Sequence, residues 1–253
     1  MNNWFKGKHA VITGGINGIG RCVANKFHTE GSLVSIIDVD NNFHKKEGIS
    51  FFHGDIALKD DLEKFVDSLN HPVDFIINNA CATRKGLLSN CSWEDFEYIQ
   101  SVGVTAPYYL TKLILEKNSK INIHSLDIVS IINIASTRAF QSQADTESYS
   151  AAKGGIVALT HSLSVSLAGR ARVNAISPGW IELDRSVRHN ESDNNQHAAG
   201  RVGKPDDIAE MVLFLCDNNK AGFITGQNFI IDGGMNKLMV YHNDHGWKYE
   251  KEK

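Results

Sequence analysis

Apolar residues along the chain fall into short, nearly continuous runs bounded by glycine and polar turns: HAVIT (9–13), LVSIID (33–38), ISFFHGD (49–55), VDFIINNA (73–80), DIVSIINIAS (127–136), RVNAISPG (172–179) and NFIIDGG (228–234). Such runs are too short for helices and too continuous for strands with one wet face, so both faces of their sheet are covered. Between them, apolar positions recur at helical spacing over 18–30, 58–69, 92–117, 147–168 and 205–217. Strand alternating with helix predicts a doubly wound, seven-stranded parallel α/β sheet with right-handed crossovers and helices on both faces. In such a sheet ligands bind beyond the carboxyl ends of the strands.

Two segments fall outside the alternation: a polar stretch, ELDRSVRHNESDNNQHAAG (182–200), and the end of the chain, 236–253. No linker, repeat or low-complexity run divides the rest. With 253 residues, 42% of them hydrophobic, the chain can bury one large core, and a single domain over 1–253 is expected. A net charge of −3 argues against a basic face for nucleic-acid phosphates or an anionic membrane, and leaves a small molecule as the expected partner. No stretch approaches the length of a membrane span. Cys22, Cys81, Cys91 and Cys216 have no CxxC spacing, so no metal site is expected, and free thiols in a reducing, cytoplasmic setting are.

Candidate chemistry begins where the first strand ends. In TGGINGIG (13–20), Gly14, Gly18 and Gly20 suit a tight turn, backbone approach to a pyrophosphate and close helix packing, with Asn17 and Ile19 between them. A glycine triplet by itself also reads as a structural turn. Asp38 closes the second strand at about the distance where an acidic side chain takes the hydroxyls of an adenosine ribose, although it also suits the start of the turn DVDNN. A carboxylate there repels a 2′-phosphate, and neither Asn17 nor Val39 offers a compensating cation. NAD is therefore favoured over NADP.

In SYSAAKGG (148–155), Tyr149 and Lys153 stand four residues apart on a predicted helix, about 40° apart around its axis. An ammonium close to a phenol favours the phenolate, as a tyrosine exchanging a proton near neutral pH requires. As an isolated pair they are ordinary surface residues; their value comes from lying downstream of a dinucleotide loop, after Ser136 at the end of a strand. Ser136 can offer a hydroxyl to a substrate oxygen.

At this point the chain resembles the short-chain dehydrogenase/reductase family from about Lys8 to about Met235, through TGGINGIG, HGDI, NNAC, Ser136, YSAAK, ISPGW and GQNFIIDGG. The resemblance implies a Rossmann fold and hydride transfer between a small alcohol or carbonyl substrate and nicotinamide. Carried over, Asp55 with Ile56 meets the adenine, Asn78 and Asn79 shape the sheet near the cofactor, and Ala80 lines it. Pro178, Gly179 and backbone near Ile181 border the nicotinamide. Ser136 orients the substrate oxygen, Tyr149 exchanges its proton, and Lys153 holds the ribose and tunes Tyr149. The small residues of this helix are explained by the family's use of it in homodimer or homotetramer contacts.

Three departures stand out. Cys81 replaces the last glycine of the family's NNAG and is expected to be a packed, inert thiol, with a reactive thiol as the alternative. Gly103 stands where an asparagine normally completes the tetrad; a kinked helix could keep the water-binding backbone carbonyl without the side chain. Leu183 replaces a threonine that helps hold the cofactor. These motivate an alternative, a catalytically weak dinucleotide-binding or sensing protein; a third reading, epimerisation or elimination with bound NAD, usually needs a larger substrate domain. The segment 182–200 takes the family's substrate-lid position. It is either a solvated lid or one whose Arg185 or Arg188 closes on a polar or anionic substrate, with Arg84 and Arg138 on the same side. The aromatic tail, with Tyr241, Trp247 and Tyr249, is expected to dock on a neighbouring subunit, and His242 and His245 to be solvated rather than metal ligands.

Overall fold

The computed structural model describes residues 3–83, 86–121, 128–184 and 186–239. Strands β1 His9–Thr13, β2 Leu33–Asp38, β3 Ile49–His53, β4 Phe75–Asn78, β5 Val129–Ile134, β6 Ala171–Pro178 and β7 Asn228–Ile231 form one parallel sheet in the order β3-β2-β1-β4-β5-β6-β7. Each apolar run becomes a strand, shortened where its polar or glycine end turns out of the sheet. The order reverses between β1 and β4, which opens a crevice at their carboxyl ends.

Eight helices lie among the described residues: α1 Gly18–Thr29, α2 Lys59–Ser68, α3 Trp93–Gln100, α4 Ala106–Ile121, α5 Glu147–Ser166, α6 Glu191–Asn194, α7 Pro205–Cys216 and α8 Asn218–Ala221. Consecutive strand residues point to opposite faces, so one strand feeds two cores. Ile12, Ile77 and Ile132 pack with Val23 and Phe27 of α1 and Ile208 and Val212 of α7. Val11, Ile76 and Ile131 pack with Leu62 and Phe65 of α2, Leu110 and Ile114 of α4 and Leu163 of α5. No described helix is long and apolar enough to cross a membrane.

The helix expected over 92–117 is broken. Between α3 and α4, Ser101–Thr105 forms a π-helical turn. An α-helical partner for the carbonyl of Gly103 would be the N–H of residue 107, which is proline, and the proline ring also crowds that carbonyl. Widening the turn relieves the clash. The small face of α5 is partly spent on this turn, because Cβ atoms built on Gly103 and Gly155 would lie 2.8 Å from the Cβ of Ala152 and 2.9 Å from Cγ2 of Val104. Short side chains there serve contact within the chain, while Ala151, Ala158 and Val165 face outward.

The polar segment 182–200 contains more order than its composition suggests. Asn190 caps α6 in a reciprocal pair with Asp193, and His197 is buried, its Nδ1 3.1 Å from the carbonyl of Asp193. A bridge between Ile181 and Gly203 ties the segment's ends together.

Candidate active site

At the reversal point lies a cleft of about 270 Å³ lined by Gly14, Asn17, Gly18, Ile19, Asp38, Asp55, Ile56, Asn79 and Ala80. A larger groove of about 560 Å³ opens at the amino-terminal ends of β2 and β3, where His9 lies 2.8 Å from Ser35, and Ser35 2.7 Å from Ser50. Those polar atoms satisfy one another, whereas the cleft gathers glycine-loop backbone and the carboxylates of Asp38 and Asp55. The cleft is the better candidate.

Its floor is built by the glycine loop. Gly18 has φ +55, which disfavours any side chain, and a Cβ on Gly20 would run into the carbonyl oxygen of Gly14. Asn17 precedes α1 without capping it: its Nδ2 donates to Asp40 Oδ2 at 2.7 Å, and the first turn of α1 has no acidic residue. The leading N–H groups of α1 are thereby left without a side-chain acceptor, facing the dipole's positive end toward the cleft. A dinucleotide pyrophosphate fits this arrangement. Asn79 clamps the loop, donating to the carbonyls of Thr13 at 3.1 Å and Gly14 at 2.8 Å.

Asp38 lines the cleft. Its carboxylate accepts from the N–H of Ile16 and of Asp40, both at 3.0 Å, which fixes its orientation and leaves lone pairs for hydroxyls. Asp40 stands beside it. The N–H of Asn42, with the amides of Asn17 and Asn42, holds the Asp40 carboxyl below the usual range despite the opposing effect of desolvation. Two carboxylates thus stand together at the end of β2.

Two contributors escaped the sequence reading. Thr13 Oγ1 accepts from the N–H of Asn79 and of Ala80, both at 3.0 Å, joining the ends of β1 and β4. Tyr98 donates its hydroxyl to Asp55 Oδ2 at 3.0 Å and lines the cleft. A polar residue ending an otherwise apolar strand was the available signal for Thr13; nothing in sequence spacing pairs residues 55 and 98.

Beyond the cleft, β5 ends at Ile134 and Ser136 opens a short turn, Thr137–Ala139, that packs on the start of α5. Ser136 Oγ accepts from the N–H of Arg138 at 3.2 Å, so its own hydrogen stays available to another oxygen. Tyr149 lies in the first turn of α5. Lys153, buried one turn on, donates to the carbonyl of Ile134 at 2.7 Å, its ammonium 5.5 Å from the centre of the Tyr149 ring. The Arg138 guanidinium lies 5.7 Å from the same ring. Hydroxyl, phenol and ammonium therefore share one corner of the fold, as general acid–base chemistry requires.

Pro178 and Gly179 lie at the end of β6, where a Cβ on Gly179 would meet Asp232, and Ile181 follows, packed on the core. Leu183 extends over the glycine loop, its Cδ1 3.3 Å from where a Gly18 Cβ would be. Cys81 is a correction: rather than packed, it is exposed on the cleft wall, because the chain has left the sheet there and none of the described elements covers it. Arg188 is exposed. Arg84, Arg185 and the tail residues Tyr241, His242, His245, Trp247 and Tyr249 lie outside the described residues. Among the described residues no cluster of His, Cys, Asp or Glu could hold a metal ion.

A family model described as enoyl-(acyl carrier protein) reductase matches residues 14–236. The chain is 42% identical to an uncharacterized oxidoreductase of Thermotoga maritima over 258 aligned positions, covering 94% of this chain and 99% of that one. Among solved structures, an apo SCOR enzyme from Clostridium thermocellum superposes with a TM-score of 0.85 at 43% identity, covering 100% of both chains. A 4-hydroxyisoleucine dehydrogenase complexed with NADH superposes with a TM-score of 0.81 at 25% identity, covering 91% of this chain and 99% of that one.

Proposed function

The chain belongs to the short-chain dehydrogenase/reductase family, and on that premise we propose that it is an NAD-dependent oxidoreductase interconverting a small secondary alcohol and its carbonyl. One observation carries the reading: a glycine cradle with Asp38 and the Ser136–Tyr149–Lys153 corner open from the same edge of one sheet. A pure binding protein has no evident use for the second group.

When bound, nicotinamide supplies the site that accepts or gives the hydride. The chain's own residues do the rest. The amino terminus of α1 would hold the pyrophosphate and Asp38 would take the ribose hydroxyls, while Asp55, Ile56 and Ala80 would border the adenine side. Pro178, Gly179 and Ile181 border the nicotinamide. In the oxidising direction Ser136 donates its hydrogen to the substrate oxygen, Tyr149 takes the hydroxyl proton as the carbon gives up its hydride, and the C–O bond becomes a carbonyl. Lys153 places an ammonium beside the phenol and would donate hydrogen bonds to the cofactor's ribose when it is bound.

Asp38 with Asp40 supports NAD over NADP. The outward residues of α5 suit a homodimer or homotetramer, and the free cysteines suit a cytoplasmic location. Tracing deuterium tests the reading: with NADH deuterated at C4 and a carbonyl panel, wild type should place the label on the product's carbinol carbon and Tyr149→Phe should not. Label transfer that persists at the wild-type rate in Tyr149→Phe contradicts the assignment.

A further inference from the structure

Arg138 is carried by the turn that Ser136 opens, with its guanidinium 5.7 Å from the centre of the Tyr149 ring. Its side-chain hydrogen bond goes to a neutral group, the amide oxygen of Gln143, and among the described residues no carboxylate pairs with it. The acidic groups next along the chain are committed elsewhere. Asp145 accepts from the N–H and hydroxyl of Ser89, and Glu147 accepts from the N–H of Leu87 at 3.1 Å. Two other arginines are better satisfied: exposed Arg201 makes two 2.7 Å bonds to Asp207, and buried Arg172 bonds Asn218, Ser130 and two carbonyls. A half-buried guanidinium has five donors in a planar fork, and a neutral amide satisfies few of them. A carboxylate completes it with two parallel charge-assisted bonds.

We infer that the substrate carries a carboxylate, bound by Arg138 while the reacting oxygen lies between Ser136 and Tyr149. The substrate class is a hydroxy acid or oxo acid with its acid group a few bonds from the reacting carbon. The geometry sets this distance, because Ser136 and Arg138 belong to one turn joined by the Ser136 Oγ to Arg138 N–H bond. Lys153 is not the anchor: it is buried, with its ammonium on the Ile134 carbonyl. Arg188 stands out in solvent. The inference rests on the oxidoreductase reading and narrows it.

The test compares 2-hydroxybutyrate, 3-hydroxybutyrate and 4-hydroxypentanoate with their methyl esters, for wild type, Arg138→Gln and Arg138→Lys. NAD binding by calorimetry comes first, and its failure in wild type counts against the oxidoreductase reading itself. With NAD bound, at least one acid should exceed its ester in kcat/KM by roughly tenfold to 100-fold, the range expected for a charged hydrogen-bonded pair. Arg138→Gln should bring that ratio near one, and Arg138→Lys should keep part of it. Esters used as well as acids by wild type, or equal losses for both in Arg138→Gln, overturn the inference. If no compound is turned over, fluorescence titration of the NADH complex with the same acids and esters reads the same preference. Acid binding that Arg138→Gln removes supports the inference, and no acid preference in binding overturns it.

Discussion

Gly103 packs directly against Ala152: a Cβ on Gly103 would lie 2.8 Å from the Cβ of Ala152, the residue preceding Lys153. An asparagine at position 103 must therefore push on the helix that carries the site lysine. Overpacking of this kind costs about 1–3 kcal/mol, and each kcal/mol lowers the melting midpoint by about 2–4 °C in a chain this size. Gly103→Asn should lower the thermal midpoint without raising turnover. Adding Ala152→Gly should recover most of the loss, with turnover within about tenfold of wild type, because Pro107 already denies the Gly103 carbonyl its helical partner. A single Gly103→Asn variant far faster than wild type would show that the missing side chain matters more than the carbonyl.

Thiol chemistry separates two of the cysteines. Cys81 is exposed on the cleft wall, whereas Cys216 is fully buried and burial pushes its thiol up to about 12. N-ethylmaleimide should label Cys81 in the free protein, NAD should slow that labelling, and Cys216 should react only after unfolding. Peptide mass mapping checks all three. Labelling of Cys81 indifferent to saturating NAD would put the cofactor elsewhere.

Cofactor choice should track the charge at Asp38. NAD is expected to bind more tightly than NADP by calorimetry, and Asp38→Asn should narrow the preference by about tenfold, the scale of a charge pair a few ångströms apart near a protein surface. The asparagine keeps an acceptor for the Ile16 N–H, so the glycine loop stays supported. An unchanged preference would shift the discrimination to Asp40.

His9 gives a pH dependence with a definite sign. Desolvation by burial holds its pKa below the ordinary 6.5, opposed by hydrogen bonds to the backbone at His71 and Pro72. The unfolded chain then binds a proton more readily than the folded one, so His9 costs no stability above 6.5, and its contribution turns unfavourable as pH falls below that value. Urea midpoints measured from about pH 7.5 to about pH 5 should fall less steeply for His9→Gln, which can keep the bonds to Ser35 and the His71 carbonyl, than for wild type. Parallel slopes would mean that His9 is protonated in the fold.

The strands were legible because a sheet covered on both faces makes apolar runs, such as LVSIID, that look like nothing else. Gly14, Gly18, Gly20 and Asp38, which meet at the cleft or build its loop, were legible because tight backbone turns and close approach impose glycine at fixed spacing and because the apolar run of β2 ends on a carboxylate. The π-helical turn was written as Gly103 and Pro107, four residues apart, but helical spacing runs straight through it. Partners brought together by folding left no such trace: Tyr98 on Asp55 and the Gly103–Ala152 contact join residues more than 40 positions apart. Composition misled at two places. His197 sits in a polar stretch yet is buried, and Cys81, expected to be packed, faces the cleft.

The most direct test of the central claim is absorbance at the NADH band with purified protein, NAD or NADP, and a panel of secondary alcohols and hydroxy acids, with Tyr149→Phe alongside. The account predicts turnover with NAD that Tyr149→Phe reduces by at least about a hundredfold while calorimetric NAD binding persists. Tight NAD binding with no turnover across the panel, or turnover that survives loss of the Tyr149 hydroxyl, would contradict it.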